Sequence, residues 1–419
     1  MKQRKPTATA QRSSPPIQLD RFTLLHLRLY QLLGLCSVPL QLKCDLATVN
    51  QRLQQSKYFS MSQLNRYLLI WHCLLFICFI LLHLWTITNH DSIICISDGF
   101  GKFNDLLKLS ATITAHFVIL SETLLKRQCM HKFLSLYIKI TCHIKWFRSV
   151  TYCTGYRLFR PFFWKSVIFI TIIIIIDLNY IWETSRSDRW LSFFIPCIPS
   201  AIICQVHSVQ IVHFIELLRL VLEQLNMNVE RLAEFSRRGV MTSDPPRQKQ
   251  RKIYDSDVKV CTDLHLFMEC YQDIYEMCFL LKQSVGAPLV CNYRKEYMII
   301  LSECYWSYWM FHKGENIIEY SLNFSSAMTI FLLLITSRNC MIQTHFLAHN
   351  VHKTRHDIED FNISSTRLQS FSLQLLHQHI IMDGFGFFVL NCNMARDVLG
   401  SIATYMIFFI QFMPKFKKA

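Results

Sequence analysis

The stretch SVIFITIIIIIDLNYIW, residues 166–182, is the most apolar part of the chain and sets its structural class. Five consecutive isoleucines, Ile172–Ile176, leave no polar face on any regular element that contains them. A helix that crosses about 30 Å of hydrocarbon needs about 20 predominantly apolar residues. The stretch therefore predicts a membrane-spanning helix, in which Asp177 is the one charged residue.

Other apolar stretches of similar length occur on both sides of this one. They are Leu64–Thr88, Phe103–Leu125, Trp190–Leu217, Ser284–Phe311, Ile317–Thr336 and Ala395–Met413. Hydrophobic residues make up 52% of the chain and charged residues only 17%. The sequence thus predicts an all-α membrane protein with seven transmembrane helices. The fifth span contains Arg294, Lys295 and Glu296, which either line a wet cavity or precede a shortened span.

Lys and Arg are concentrated in the segments between the apolar stretches. The loop 126–165 is rich in both and contains no Asp or Glu, and the segments before span one and after span four are also basic. Because cytoplasmic loops carry the excess of Lys and Arg, we predict a cytoplasmic N-terminus and, after seven spans, an extracellular C-terminus. This topology is inverted relative to a G-protein-coupled receptor. Membrane orientation also accounts for the net charge of +15, so we predict no nucleic-acid partner.

The last span carries a polar stripe. Its members recur at steps of four and three residues, which places them on one face of a helix. They are Asp397, Ser401, Thr404, Phe408 and Gln411. Polar groups in a membrane helix face the bundle interior or water, because lipid cannot satisfy them. The stripe would line a pore if several copies surround an axis, and the alternative is an ordinary polar contact between helices.

Three motifs carry a family resemblance. Thr404 and Tyr405 are followed by five hydrophobic residues and then by Gln411 and Phe412, and this ending resembles the signature of insect gustatory receptors. The segments Phe371–His377 and Gly386–Phe388 are similar to the stretch that leads into the family's last helix, and Leu32–Leu35 followed by Pro39 is similar to its opening.

The resemblance implies a gustatory chemoreceptor in the plasma membrane of a sensory neuron. Such a receptor is a ligand-gated, non-selective cation channel, a homo- or hetero-tetramer with other gustatory subunits that opens on a small-molecule tastant. Gln411 and Phe412 would form the outer constriction, Thr404 and Tyr405 would hold the pore helices together, and Ser401 and Phe408 would complete the pore lining. Met406 stands where sugar-type receptors often carry an acid, which favours bitter or other non-sugar tastants.

Four regions follow from the spans and the resemblance. Residues 1–63 form a cytoplasmic segment in which Thr23–Leu40 is an amphipathic helix near the inner surface. Residues 64–336 hold spans one to six with a ligand-sensing outer half, and residues 337–394 form cytoplasmic anchor helices. Residues 395–419 comprise the pore-lining helix and a short extracellular tail. Membrane lipids surround the whole.

A ligand pocket is predicted at the outer ends of the spans, around the buried carboxylate of Asp177. Aromatic residues cluster there by sequence position: Tyr180, Trp182, Trp190, Trp306, Trp309 and Tyr320. An aromatic cavity with one acid suits an apolar or cationic ligand. The alternative for the aromatic residues is a belt at the membrane interface.

Rival functions and cofactors are less well supported by the sequence. His345, His349, His352 and His356 share a helical face and could bind zinc, but a helix of the anchor bundle explains them as well. We predict no metal, no cofactor and no enzyme activity, since no nucleophile–base motif is present. The nearest alternative is an odorant-type receptor of the same superfamily. A G-protein-coupled receptor is a more distant alternative, because its characteristic motifs are missing.

Overall fold

The computed structural model describes residues 21–38, 63–88, 99–147, 168–169, 171–172, 175, 190–240, 246–313, 323–357 and 362–412. The helices within these ranges are α1 (Arg21–Leu32), α2 (Gln63–Thr88), α3 (Gly99–Leu125), α4 (Arg127–Phe147), α5 (Trp190–Val240), α6 (Pro246–Lys313), α7 (Asn323–Asp357), α8 (Asn362–His377) and α9 (Cys392–Phe412). Across the described residues, one isolated bridge between Asp383 and Val389 is the only β pairing. The predicted all-α class is confirmed.

Six of the seven predicted spans fall on these helices. The third, Ser166–Trp182, lies outside the described residues except at 168–169, 171–172 and 175. Within the described part of the chain, three helices are long and apolar enough to cross a membrane, over Arg66–Trp85, Pro199–Leu232 and Ser325–Thr354. The spans on α3 and α6 contain ionisable residues such as Lys108 and Glu303, which make them less apolar.

Helices α5 and α6 are much longer than the membrane is thick. With 51 and 68 residues they measure about 77 and 100 Å, against about 30 Å of hydrocarbon. At one end of the bundle, α5, α6 and α7 project together and pack with α4 and α8. We name this the anchor end. It is held by polar contacts between helices, such as Asn350 Nδ2 to Asn226 Oδ1 at 2.7 Å and Lys139 Nζ to Asp273 Oδ2 at 2.7 Å.

Helices α3 and α6 pack together and run in opposite directions. Near the anchor end, Cys129 at the start of α4 donates to Gln283 of α6, whereas Lys108 early in α3 pairs with Glu303 late in α6. Helix α3 therefore runs towards the anchor end and α6 away from it. Helix α4 lies at the anchor end, and α5 begins at the opposite end of the bundle.

Helix α1 is shorter than the predicted amphipathic segment Thr23–Leu40. It ends at Leu32 because Gly34 adopts a φ of 74°, a conformation that glycine takes without a steric penalty. The Gly34 amide donates to the Gln31 carbonyl at 3.2 Å and the Leu35 amide donates to the Tyr30 carbonyl at 2.7 Å. These two bonds form a Schellman motif, which satisfies the last carbonyls of the helix.

A tight turn leads from α8 into α9. Asp383 pairs with Val389 in the isolated bridge, and the residues between them include Phe385 at φ 50° and Gly386 at φ 78°. Lys282 of α6 holds the turn through an ion pair to Asp383 at 2.5 Å. Asn391 then caps α9, because its Oδ1 accepts a hydrogen bond from the Met394 amide at 3.1 Å.

Candidate functional site: the last helix and the polar core

Much of the surface of helix α9 is exposed. It packs on α6 and, less extensively, on α7 through Met394 and Val398, which are buried. The predicted pore residues Thr404, Tyr405 and Gln411 are exposed, and so is Phe408. Phe412 is the last residue of the helix. One chain thus presents a long face of α9, with both polar and apolar side chains, that the described residues leave uncovered.

Ser401 differs from the other predicted pore residues. It is half-buried at the seam between α9 and α6, where its Oγ accepts a hydrogen bond from Tyr297 Oη at 2.9 Å. Its own hydroxyl donates to the Val398 carbonyl at 2.9 Å. The Tyr297–Ser401 bond therefore links the last helix to α6 at about the middle of α9.

Helix α6 is continuous through the charged triplet of span five. Arg294 is exposed, whereas Lys295 and Glu296 are each only 1% exposed. The Lys295 Nζ lies 2.7 Å from Glu296 Oε1, and the two side chains form an ion pair. Neither Glu296 oxygen accepts a hydrogen bond from a described residue. The helix is therefore unbroken at the triplet, and the pair is buried within the protein.

Neutral polar side chains join α5 to its neighbours at a similar level. Asn292 of α6 donates to the Cys204 carbonyl at 3.0 Å and to Ser208 Oγ at 2.6 Å. Gln205 donates to Ser325 Oγ of α7 at 3.1 Å, and Thr329 donates back to Gln205 Oε1 at 2.9 Å. Buried polar groups that are paired in this way fix the register of helices within a membrane.

A second polar cluster joins α2, α3 and α5. Ser200 Oγ lies 3.0 Å from His83 Nε2 and 2.9 Å from His116 Nδ1, and all three side chains are buried. Phe79 packs edge-on against both imidazoles, at ring-centroid distances of 4.3 and 4.2 Å. Because one hydroxyl proton cannot satisfy two ring nitrogens, the serine donates to one histidine and accepts from the other. The cluster therefore requires a defined pair of tautomers.

One more buried acid lies farther from the anchor end. Glu303 of α6 pairs with Lys108 of α3, and the glutamate side chain is only 5% exposed. A charged side chain at this depth is costly unless it is paired, so the ion pair holds these two helices in register.

Comparison with known sequences supports the predicted family. The profile of the family described as 7tm chemosensory receptor matches residues 23–416, nearly the whole chain. The chain belongs to this family. The receptor is also 22% identical to a Drosophila melanogaster protein named gustatory receptor 2a over 257 residues, 54% of this chain and 58% of that protein. The chain thus matches little more than half the length of that relative.

Solved structures show the same fold as the receptor. The insect olfactory receptor OR5 from Machilis hrabei in complex with eugenol matches with a TM-score of 0.54 and 12% identity, over 94% of this chain and 100% of that one. OR5 in a further structure matches with a TM-score of 0.56 and 13% identity, over 86% of this chain and 93% of that one. The family and the fold confirm the receptor class and the prediction that the chain is not an enzyme.

The predicted ligand pocket lies largely beyond the described part of the receptor. Asp177, Tyr180, Trp182 and Tyr320 are outside it. Trp190 begins α5 and Trp309 lies near the end of α6, in positions for which only the backbone is described. Trp306 is half-buried, and its ring packs edge-on against the buried Tyr305 at 5.3 Å. The pocket stays a prediction.

The predicted histidine face of the receptor lies on α7. His345, His349 and His352 are exposed, and His352 Nε2 lies 3.3 Å from Ser372 Oγ of α8. Over the residues that the structure describes, no group of three or more His, Cys, Asp or Glu side chains could hold a metal.

Sequence reasoning missed the polar core of the receptor. Lys108, Glu303, His83 and His116 all interrupt apolar stretches, and an ionisable residue inside a span is itself a signal of function or pairing. The sequence shows these ionisable residues but not which of them pair, since the partners lie on helices that are far apart in the chain.

Proposed function

We propose that the receptor is a gustatory chemoreceptor that acts as a ligand-gated, non-selective cation channel, with α9 from four copies around one pore. The observation that carries this proposal is the uncovered face of α9. Thr404 and Gln411 are exposed polar residues in the second half of α9, where they lie among exposed apolar residues such as Ile407 and Ile410. Thr404 donates to the Gly400 carbonyl of its own helix at 3.0 Å, whereas lipid would leave the side-chain amide of Gln411 unsatisfied, so this face favours water or further copies.

The family resemblance makes the proposal specific. The motif Thr404–Tyr405 followed by Gln411–Phe412 places a polar and an aromatic residue together at the end of α9 farthest from the anchor end. A ring of amide side chains beside a ring of aromatic side chains can set the conduction barrier, because polar rings stabilise ions and apolar rings gate by dewetting. Gln411 and Phe412 are therefore proposed as the outer constriction of the pore.

Gln411→Ala and Phe412→Ala test the constriction. Each should change basal current or ion selectivity at matched surface expression. Ile410→Ala is the matched control, because this exposed neighbour lies off the polar stripe. Identical currents from all three variants would contradict the pore assignment, and single-particle images that lack four copies around one axis would contradict the assembly.

We also propose a cytoplasmic N-terminus and an extracellular C-terminus. The basic segments 127–147, 231–240 and 246–259 belong to the helices of the anchor end, so this end faces the cytoplasm by the positive-inside rule. A glycosylation acceptor placed after Ala419 should be modified and one placed at the N-terminus should not. The reverse pattern would refute the topology and favour a G-protein-coupled receptor.

The proposed ligand is a small-molecule tastant, bitter or otherwise not a sugar, bound in the outer half near Asp177. Support comes from the solved relative that holds eugenol and from Met406 directly after Tyr405. Asp177→Asn should weaken a cationic agonist about ten- to a hundredfold and a neutral agonist much less, because a desolvated ammonium loses its counter-charge. Equal shifts in both dose–response curves would make Asp177 structural.

An odorant-type receptor of the same superfamily is the second candidate, and the fold match to an olfactory receptor favours it. Recordings from cells that express the receptor separate the two functions. Responses to water-soluble tastants in the absence of an olfactory co-receptor subunit would support the gustatory function.

A further inference from the structure

Helix α1 has two distinct faces. The inner face packs against the bundle and consists of Thr23, His26, Leu27 and Tyr30, all of which are at most 4% exposed. The outer face consists of Leu25, Arg28, Leu29 and Leu32, which recur at helical spacing and are all exposed. The three leucines are 40 to 64% exposed. The three exposed leucines therefore require an apolar environment outside the described bundle.

The position of α1 is fixed by contacts on its inner face, at its C-terminal end and just beyond it. The imidazole of His26 packs against that of His213 in α5, at a centroid distance of 4.8 Å. Trp71 of α2 donates its indole N–H to the Leu32 carbonyl at 3.0 Å. After the helix, Gln210 of α5 donates to the Leu35 carbonyl at 2.8 Å. Helix α1 is therefore a docked part of the fold.

These contacts also set the level of α1 in the membrane. Trp71 lies five residues, or about 7–8 Å, inside the apolar segment Arg66–Trp85 of α2. Ser37, just after α1, donates to the Thr123 carbonyl at 3.3 Å, two residues before α3 ends. Helix α1 therefore lies within the first turns of the spans at the anchor end. This is the depth at which an interfacial helix buries its apolar face, about 5–10 Å into the headgroup and acyl-chain boundary.

The charge around the outer face has one sign. Arg28 is exposed among the leucines, and Arg66 is exposed where the apolar segment of α2 begins. In the described residues 21–38 and 63–88, the charged residues are Arg21, Arg28 and Arg66, and no Asp or Glu is present. A cationic, leucine-rich face at the headgroup level is complementary to a lipid with an anionic headgroup and apolar chains.

We propose that the outer face of α1 binds anionic phospholipids of the leaflet at the anchor end. Leu25, Leu29 and Leu32 contact the acyl chains, while Arg28 and Arg66 bind the phosphate groups. Because the inner face of α1 packs against α5, a lipid bound to the outer face would stabilise the docked position of this helix. The proposal does not depend on the channel activity or on the ligand.

A photo-reactive amino acid at Leu29 or Leu32 tests the occupant of the outer face. The full chain is reconstituted in phosphatidylcholine–phosphatidylserine nanodiscs and illuminated, and the product masses are measured. We expect adducts one phospholipid heavier, whereas the same group at the buried Leu27 should give only internal cross-links. Cross-links to a second copy of the chain would overturn the proposal and make this face a subunit contact.

Charge selectivity is tested by counting retained phosphatidylserine in native mass spectra. Arg28→Gln and Arg66→Gln should each weaken retention about fivefold, the equivalent of about 1 kcal/mol per cation near a lipid surface. Arg28→Lys should retain the lipid, and so should the control Arg367→Gln, which removes an exposed charge on α8. Unchanged retention in Arg28→Gln, or an equal loss in Arg367→Gln, would overturn the proposal.

Discussion

We expect the hydrogen bond from Tyr297 to Ser401 to influence the gating equilibrium, in which α9 either keeps its described position against α6 or moves away from it. Tyr297→Phe removes the donor and keeps the ring, so the packing between α6 and α9 is preserved. A net contribution of about 1 kcal/mol is typical for a hydrogen bond of this kind. If α9 moves against α6 on gating, Tyr297→Phe destabilises the described arrangement by about 1 kcal/mol relative to the arrangement after the movement. The equilibrium constant then changes about fivefold.

Whole-cell currents at matched surface expression measure this change. Tyr297→Phe should shift either the basal current or the half-maximal agonist concentration about fivefold. Ser401→Ala should shift it in the same direction, and the double variant should go no further than the larger single shift, because both changes remove the same bond. Tyr293→Phe is the matched control, since this tyrosine lies one turn earlier on α6 and packs its ring against Phe388.

Two results would refute the reasoning about this bond. Additive shifts from Tyr297→Phe and Ser401→Ala would show that the residues act separately. A shift of equal size in Tyr293→Phe would show that any lost hydroxyl on this face of α6 has the same effect.

Three further predictions concern stability and reactivity. Lys108→Met leaves the buried Glu303 without its counter-charge and should destabilise the detergent-solubilised receptor by about 3 kcal/mol, whereas the double variant with Glu303→Leu should recover most of this loss. Ser200→Ala should lower the thermal midpoint, since it leaves His83 and His116 without their shared partner, while Ser110→Ala, at an exposed site on α3, should not. At the anchor end, burial raises the pKa of the Cys278 thiol to about 12, so the thiolate is scarce below that pH. Maleimide should therefore label the exposed Cys392 and leave Cys278 unmodified at pH 8, and comparable labelling of both would contradict the burial.

The sequence predicts the membrane helices well, because apolar stretches report what lies in lipid. Helix α2 differs from its predicted span by one residue and α3 by four. The same signal fails outside the membrane. The spans predicted to end at Leu217 and to begin at Ser284 belong to helices that extend to Val240 and from Pro246. Their polar continuations are stabilised by packing at the anchor end, which hydropathy does not report.

The candidate site was predicted in part. The exposed stripe of Thr404, Phe408 and Gln411 follows directly from helical periodicity. Periodicity could not place Ser401 against Tyr297, because the contact depends on how α9 is turned towards α6. It could not pair Lys108 with Glu303 either, since tertiary packing joins residues that are 195 positions apart.

That separation has a consequence for the synthesis of the receptor. Lys108 enters the translocation machinery when α3 is made, yet its carboxylate partner does not exist until 195 more residues have been added. At about 5–20 residues per second the interval is roughly 10–40 s. A lysine costs about 2.5–3.5 kcal/mol to insert at the centre of an isolated helix and less towards its end, so Lys108 disfavours the insertion of α3 until α6 has been made. We expect nascent chains that are truncated before Glu303 to leave α3 at the translocon or bound to an insertion chaperone, and the same truncations of Lys108→Leu to release it into lipid.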